Sequence, residues 1–219
     1  MTRVIRLRRS MRRLMLRGSL TLLGALAVVG MGRWVPGAVG GDPRAQLAQL
    51  QAHDRALDAV RGELALVLLK LERADAIIQY STRYSIAPDL SAAIYDVALA
   101  EGVDPALAFR LVHVESNFSA MAQSPAGAIG YTQILPSTAR LYEPGLTLAQ
   151  LFGRETNLRL GFRYLRDLLE RYAGGDPEGQ LRLALLAYNR GPARVQQLLD
   201  AGRDPQNGYA ATVMRGYAF

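Results

Sequence analysis

From Pro88 onward, prolines and glycines fall where helices begin and end, and no run alternates apolar and polar residues long enough to make a convincing strand. Pro88-Asp89 opens a helix that closes at Gly102. Asp104-Pro105 sets an N-cap acid before a proline at the first helical position, where the N–H that proline lacks would have no partner anyway. Pro136 restarts the chain after a loop, and Gly191 stops one helix just before Pro192 begins another. Between these marks, Leu158, Gly161, Leu165, Leu168, Leu169 and Tyr172 share one helical face, and Leu181, Ala184, Leu185 and Tyr188 share another. The pattern predicts an all-α domain of short packed helices over residues 86–219, with a small hairpin in the 118–133 loop as the one β feature it allows.

Ahead of this domain, residues 42–82 read as one long helix. Apart from Pro43 and Gly62 the segment up to Tyr80 has no helix breaker, and Leu50, Leu57, Leu64, Leu71 and Ile78 recur every seven residues. Val60, Val67 and Ala74 come three residues after Leu57, Leu64 and Leu71, so the spacing is that of heptad a and d positions, interrupted at His53. Two readings stay open: a stalk that pairs with a second copy as a coiled-coil homodimer, or an amphipathic helix folded back on its own domain.

The net charge of +7 suggests a polyanion partner until it is located. Eight of the 26 basic residues lie in residues 1–40, where no acid stands, so the remainder sets 18 basic residues against 19 acidic ones. Nothing in that balance favours nucleic acid. Seven of the eight arginines, Arg3 to Arg17, form a basic head, which leads into the uncharged and mostly apolar stretch Gly18–Gly32. A basic head before an apolar core is the pattern of an export signal. Ala38-Val39-Gly40 offers small residues for a signal peptidase, while Leu14–Gly32 with Trp34 at the interface would serve instead as an inner-membrane anchor. Either way residues 1–40 are expected to place the rest outside the cytoplasm, in the periplasm or cell envelope. The sequence has no cysteine, which excludes disulfides, cysteine nucleophiles and thiolate metal sites, and its two histidines, His53 and His113, argue against zinc.

One acid stands in an apolar setting. On the helix that begins at Pro105, Ala108, Leu111 and Val112 lie seven, four and three residues before Glu115 and share its stripe. A carboxyl pointing where the core residues point loses solvation, which raises its pKa and lets it keep its proton at working pH, as a general acid requires. The bland reading is a structural glutamate that caps the helix or pairs with an arginine. The loop C-terminal to Glu115 weighs against it. Ser124, Pro125, Gly127 and Gly130 make a tight turn whose backbone can approach a ligand, and Gln133 adds an amide able to read a sugar hydroxyl or amide. His113 falls on another face of the helix and reads as structural.

These residues resemble the soluble-type catalytic domain of lytic transglycosylases, relatives of goose-type lysozyme, over about Asp89 to Tyr217. The family's E-S, S-x-x-G-A-x-G-x-x-Q and P-x-T-A blocks appear as Glu115-Ser116, Ser124 to Gln133, and Pro136 to Ala139. Its N-x-x-x-G-x-x-Y-L appears as Asn157, Gly161, Tyr164 and Leu165, and its A-Y-N-x-G as Ala187 to Gly191. The resemblance implies a lysozyme-like all-α fold, peptidoglycan glycan strands as substrate and no metal or other cofactor. It implies Glu115 as the one catalytic acid and base, Ser124 and Gln133 as contacts to sugars or their acetamido arms, Gly130 as part of the substrate loop, and Tyr188, Asn189 and Tyr209 as groove residues. Tyr131 stands where the family often has Leu, so the ring either stacks on a sugar or fills a wall. Pro205 stands where many members carry an acid, leaving Asp204 or Gln206 as its substitutes.

The implied chemistry is cleavage of the β-1,4 bond between N-acetylmuramic acid and N-acetylglucosamine, with the C6 hydroxyl closing a 1,6-anhydro ring. Two alternatives stay open: a goose-type hydrolase that delivers water to C1, and a noncatalytic wall-binding adaptor.

Overall fold

The computed structural model describes residues 42–217; the basic head, the apolar core and the Ala38–Gly40 cleavage position lie outside the described residues. The chain divides into two compact units, Met1–Leu57 and Asp58–Phe219. The described part of the first unit is the opening of helix α1, which runs Pro43–Tyr84, and its described side chains are exposed. No helix among the described residues is long and apolar enough to cross a membrane.

In the second unit α1 continues, exposed through Asp75, with Leu64, Val67 and Leu71 open to solvent. Only its last turns pack, and they use a different face from the heptad stripe. Ile77 is buried and its carbonyl accepts a hydrogen bond from Ser91, whereas the heptad residue Ile78 stays exposed. The Tyr80 ring stacks on Phe109 with centroids 4.0 Å apart, and Arg73 bonds to Asp96 at 2.7 Å. Residues 58–72 are exposed and make no contact with the rest of the domain among the bonds and ring contacts of the described residues, and the docking contacts begin at Arg73.

Beyond α1 the domain is helical: α2 (Pro88–Ala100), α3 (Pro105–Ser116), α4 (Pro136–Tyr142), α5 (Leu148–Leu151), α6 (Arg154–Arg171), α7 (Pro177–Arg190), α8 (Pro192–Asp200) and α9 (Tyr209–Met214). Five of these eight begin at proline, and Asp104 caps α3 by accepting from the backbone N–H groups of Ala106 and Leu107. The expected hairpin is absent among the described residues. The loop holds two isolated antiparallel bridges, Gln123 with Ile129 and Ile129 with Ile134, too short for a strand.

Helix α3 runs through the main core, with Ala108, Phe109, Leu111 and Val112 fully buried against α2, α6, α7 and α9 residues such as Ile94, Phe162, Leu185 and Val213. A smaller cluster of Ile129, Ile134, Ala139, Leu146, Leu151 and Leu160 lies beneath the loop and the short helices α4 and α5. Helix α6 joins the two clusters, giving Leu158, Phe162 and Leu165 to the first and Leu160 to the second. The loop is pressed against α6 so closely that a methyl group at Gly161 would overlap the fully buried side chain of Thr132.

That contact sets the sign of a substitution. Gly→Ala in an exposed helix interior gains up to about 1 kcal/mol from propensity, and Gly62 on α1 has nothing within 4 Å of its would-be methyl. At Gly161 the gain is outweighed by overpacking of about 1–3 kcal/mol, since hydrogen bonds hold Thr132 in place. Urea unfolding monitored by circular dichroism is expected to show Gly161→Ala destabilised and Gly62→Ala unchanged or more stable.

Candidate active site

Helix α3 ends at Ser116, and the chain reverses through Asn117 and Phe118, both in left-handed backbone conformation, with φ of 48° and 63°. Glu115, in the last turn, faces a groove of about 540 Å³ whose walls include Ser124, Gln133, Tyr164, Tyr188 and Asn189. Ser116 donates its hydroxyl to the carbonyl of Tyr131 at 2.7 Å, which ties the end of α3 to the loop opposite.

The loop is held from inside by Asn157 of α6. Its fully buried amide accepts from the Thr132 backbone N–H and hydroxyl, each at 2.9 Å, and donates to the carbonyls of Ile129 and Leu151 at 3.0 and 3.1 Å. Gly130, with φ of 76°, lies directly on this amide, and a Cβ there would strike it. Gly130, expected to contact substrate, is buried and does not line the groove, and it permits close packing behind the wall. Tyr131 is likewise 6% exposed and packs in the core, so its ring fills a wall.

Ser124 lines the groove while bracing the turn, its hydroxyl accepting from the Ala128 N–H at 3.0 Å. Gln133, at a left-handed φ of 48°, commits its Nε2 donors to the carbonyls of Ala122 and Gly130. Tyr188 donates its hydroxyl to the Thr132 carbonyl at 2.9 Å, and its ring lies 5.2 Å from that of Tyr164. Asn189 accepts from Asn207 at 2.8 Å. Tyr209, at the start of α9, donates its hydroxyl to Glu115 Oε1. His113 lies away from the groove, between the rings of Tyr84 and Phe118. Neither Asp204 nor Gln206 lines the groove; Asp204 accepts from the Gln206 N–H and lies 3.8 Å from Arg182.

Three support residues carry no role that the sequence alone assigns. Asn157 and Ser116 stand in the matched blocks, and their polarity inside apolar helical faces is the available signal. Thr132 carries none, because only the fold sets it opposite Asn157 and Gly161.

Glu115 is the single acidic side chain lining the groove among the described residues, and no cation pairs with it. The contrast is Glu101, also buried but held by Arg163 and Arg166 at 3.2 and 3.4 Å. Burial pushes the Glu115 carboxyl up to about 7, and the hydrogen bond from Tyr209 opposes that rise by favouring the ionised form. Burial and the neighbouring carboxyl in turn hold the Tyr209 and Tyr188 phenols well above their ordinary value. Because the folded value lies above the unfolded one, the folded state binds more protons between pH 4.5 and about 7, and Glu115 withdraws stability as pH rises through that window. Removing the Tyr209 donor in Tyr209→Phe is expected to move the Glu115 pKa further upward; NMR titration of the labelled glutamate carboxyl would show it, and a downward shift would contradict the assignment.

The chain is similar to known proteins over part of its length. A family model described as the Transglycosylase SLT domain matches residues 92–207. The membrane-bound lytic murein transglycosylase C of Haemophilus ducreyi is 33% identical over 111 residues, 47% of this chain and 30% of the relative. The soluble lytic murein transglycosylase of Escherichia coli strain K12 is 34% identical over 105 residues, 44% of this chain and 15% of the relative. The chain thus spans less than a third of the length of these curated relatives. The crystal structure of the 70 kDa soluble lytic transglycosylase from E. coli aligns with 62% of this chain and 24% of its own, at 27% identity and a TM-score of 0.48. With more than half its length matched by the family model, and the acid, loop and tyrosines of the matched blocks gathered around one groove, the chain belongs to the transglycosylase SLT domain family.

Proposed function

We propose that the protein is a lytic transglycosylase that cleaves the β-1,4 bond between N-acetylmuramic acid and N-acetylglucosamine in peptidoglycan and leaves 1,6-anhydro ends. The observation that carries this reading is the lone, unpaired, desolvated carboxyl of Glu115 in the groove of an SLT domain. Ordinary glycosidases set two carboxyl groups across the bond, one of which activates water or forms the covalent intermediate. With one carboxyl, the substrate supplies the nucleophile. Protonated Glu115 gives its proton to the departing glycosidic oxygen as the C1–O bond breaks. The carboxylate then takes the proton from the C6 hydroxyl as that oxygen bonds to C1, which restores the acid.

Residues 1–40 carry the export or anchoring role in this reading, so the domain works outside the cytoplasm against the wall. The test is mass spectrometry of digested peptidoglycan. Anhydro-muropeptides are expected, with a loss on the order of 10² to 10⁴ in rate for Glu115→Gln. Reducing ends would assign a hydrolase that delivers water, and wall binding untouched by the substitution in a chain with no turnover would assign an adaptor.

We also propose that α1 pairs with α1 of a second copy along its heptad stripe. Leu57, Leu64, Leu71 and Ile78 are all exposed, 45 to 63%, where an unpaired helix in water gains nothing from them. In a parallel pair, Lys70 of one copy faces Asp75 of the other across the seam, opposite charges at g and e positions. Sedimentation equilibrium is expected to give twice the chain mass, and Leu64→Lys with Leu71→Lys to give the single mass; an unaltered single mass in both would end the proposal.

A further inference from the structure

A second concavity, of about 430 Å³, lies apart from the groove and shares no lining residue with it. Its walls are Arg83 and Tyr84 at the end of α1, Arg110 and His113 on α3, and Thr212 and Arg215 at the end of α9. No acid lines it, and among the described residues none of the three arginines is paired with a carboxylate.

Two of these cations are held in place. Arg110 donates to the carbonyl of Arg215 and, at 2.8 Å, to that of Gly216, which fixes its guanidinium against the turn after α9. Arg83 lies over the Tyr84 ring, 5.7 Å from its centre, and that ring leans on His113 with centroids 5.4 Å apart. Three like charges around one hollow repel, and an anion between them removes the repulsion. The guanidinium fork matches a carboxylate or phosphate with two parallel hydrogen bonds. The Nη and Nε donors of Arg83 and Arg215, which have no hydrogen-bond partner among the described residues, make with the imidazole beside them a receptor for one compact anionic group.

We infer that this hollow binds a carboxylate of the peptides that peptidoglycan carries. The hollow and the groove lie on different faces of α3, Arg110, His113 and Val114 lining the one and Glu115 the other, so a peptide that branches from a glycan in the groove would pass around the end of that helix to reach the arginines. A membrane phosphate is the less suitable ligand. Lipid surfaces are met by flat basic faces with apolar side chains to insert, whereas this hollow is concave and none of the large exposed apolar residues lines it. The peptide as the source of the carboxylate rests on the proposed activity; the anion site itself does not.

The experiment uses the full chain carrying Glu115→Gln, so that nothing is turned over, and a sugar-free probe, D-lactyl-L-alanyl-D-glutamate. Calorimetric titration is expected to show binding that weakens with added salt, falls at least about tenfold in Arg83→Gln with Arg215→Gln, and falls as far when the probe's carboxyls are amidated. Arg110 is kept, because it ties down residues 215 and 216. In the chain with Glu115 restored, the double arginine variant is expected to raise KM on peptide-bearing glycan while leaving kcat, and all turnover of peptide-stripped glycan, unchanged. Equal binding of acid and amide, or of parent and double variant, overturns the site. So does an arginine-dependent loss of binding to phosphatidylglycerol vesicles with the probe unaffected. Arginine-dependent probe binding in a protein that yields no anhydro ends would uphold the site while removing the proposed activity.

Discussion

The groove depends on one buried side-chain amide. Residues 123–127 are almost wholly outside the core, and the loop's own apolar anchors are few, chiefly Ile129 and Ile134. What gives the loop a single shape is Asn157, whose four hydrogen bonds reach Thr132 twice, Ile129 and Leu151. An unsatisfied buried polar group costs about 1–3 kcal/mol, so moving the loop off this amide would expose several such costs at once. The dependence continues outward. Thr132, fixed by Asn157, offers its carbonyl to the Tyr188 hydroxyl, which stands in the groove wall facing the loop. Gly130 and Gly161 belong to the same arrangement, since each lies where a side chain would occupy the space that Asn157 or Thr132 fills.

On that scaffold the state of Glu115 is a balance between two opposed effects. The apolar stripe that buries α3 carries the carboxyl inward, and the loss of solvation favours the protonated acid; the Tyr209 hydroxyl favours the ionised form. Burial is the larger of the two, and the group is left near neutrality, where a carboxyl can both release and recover a proton. Glu101 shows the other arrangement the fold makes for a buried carboxyl: it is given two arginines.

Much of this was legible in the sequence, for reasons that can be named. Pro88, Pro105, Pro136 and Pro192 open helices because a first turn tolerates a missing N–H, and the structure starts helices at each. The stripe of Ala108, Leu111, Val112 and Glu115 was readable because a helix repeats every three to four residues, and the three apolar members are fully buried. Loop residues resisted for the opposite reason. Gly130 and Tyr131 stand in a segment with no period, so nothing local told which would face the groove and which the core. The docking of α1 was illegible for a different cause: two faces of one helix carry apolar residues, and the heptad made the exposed one more conspicuous than Ile77, Tyr80 and Tyr84, which do the packing.

Backbone geometry also constrains what Gln133 can recognise. An isolated glutamine offers both a donor and an acceptor, and sequence alone leaves both available. Here the left-handed backbone turns the side chain so that Nε2 serves the carbonyls of Ala122 and Gly130, and only Oε1 remains for the groove. A residue reduced to an acceptor reads N–H or O–H groups and disfavours a bare carbonyl. An acetamido arm presents an N–H on one side and a C=O on the other, so this oxygen would orient the arm as well as bind it. In the proposed reaction, with one protein carboxyl, orientation would matter more than affinity, because the departing oxygen and the C6 hydroxyl would have to meet the same Glu115 in turn.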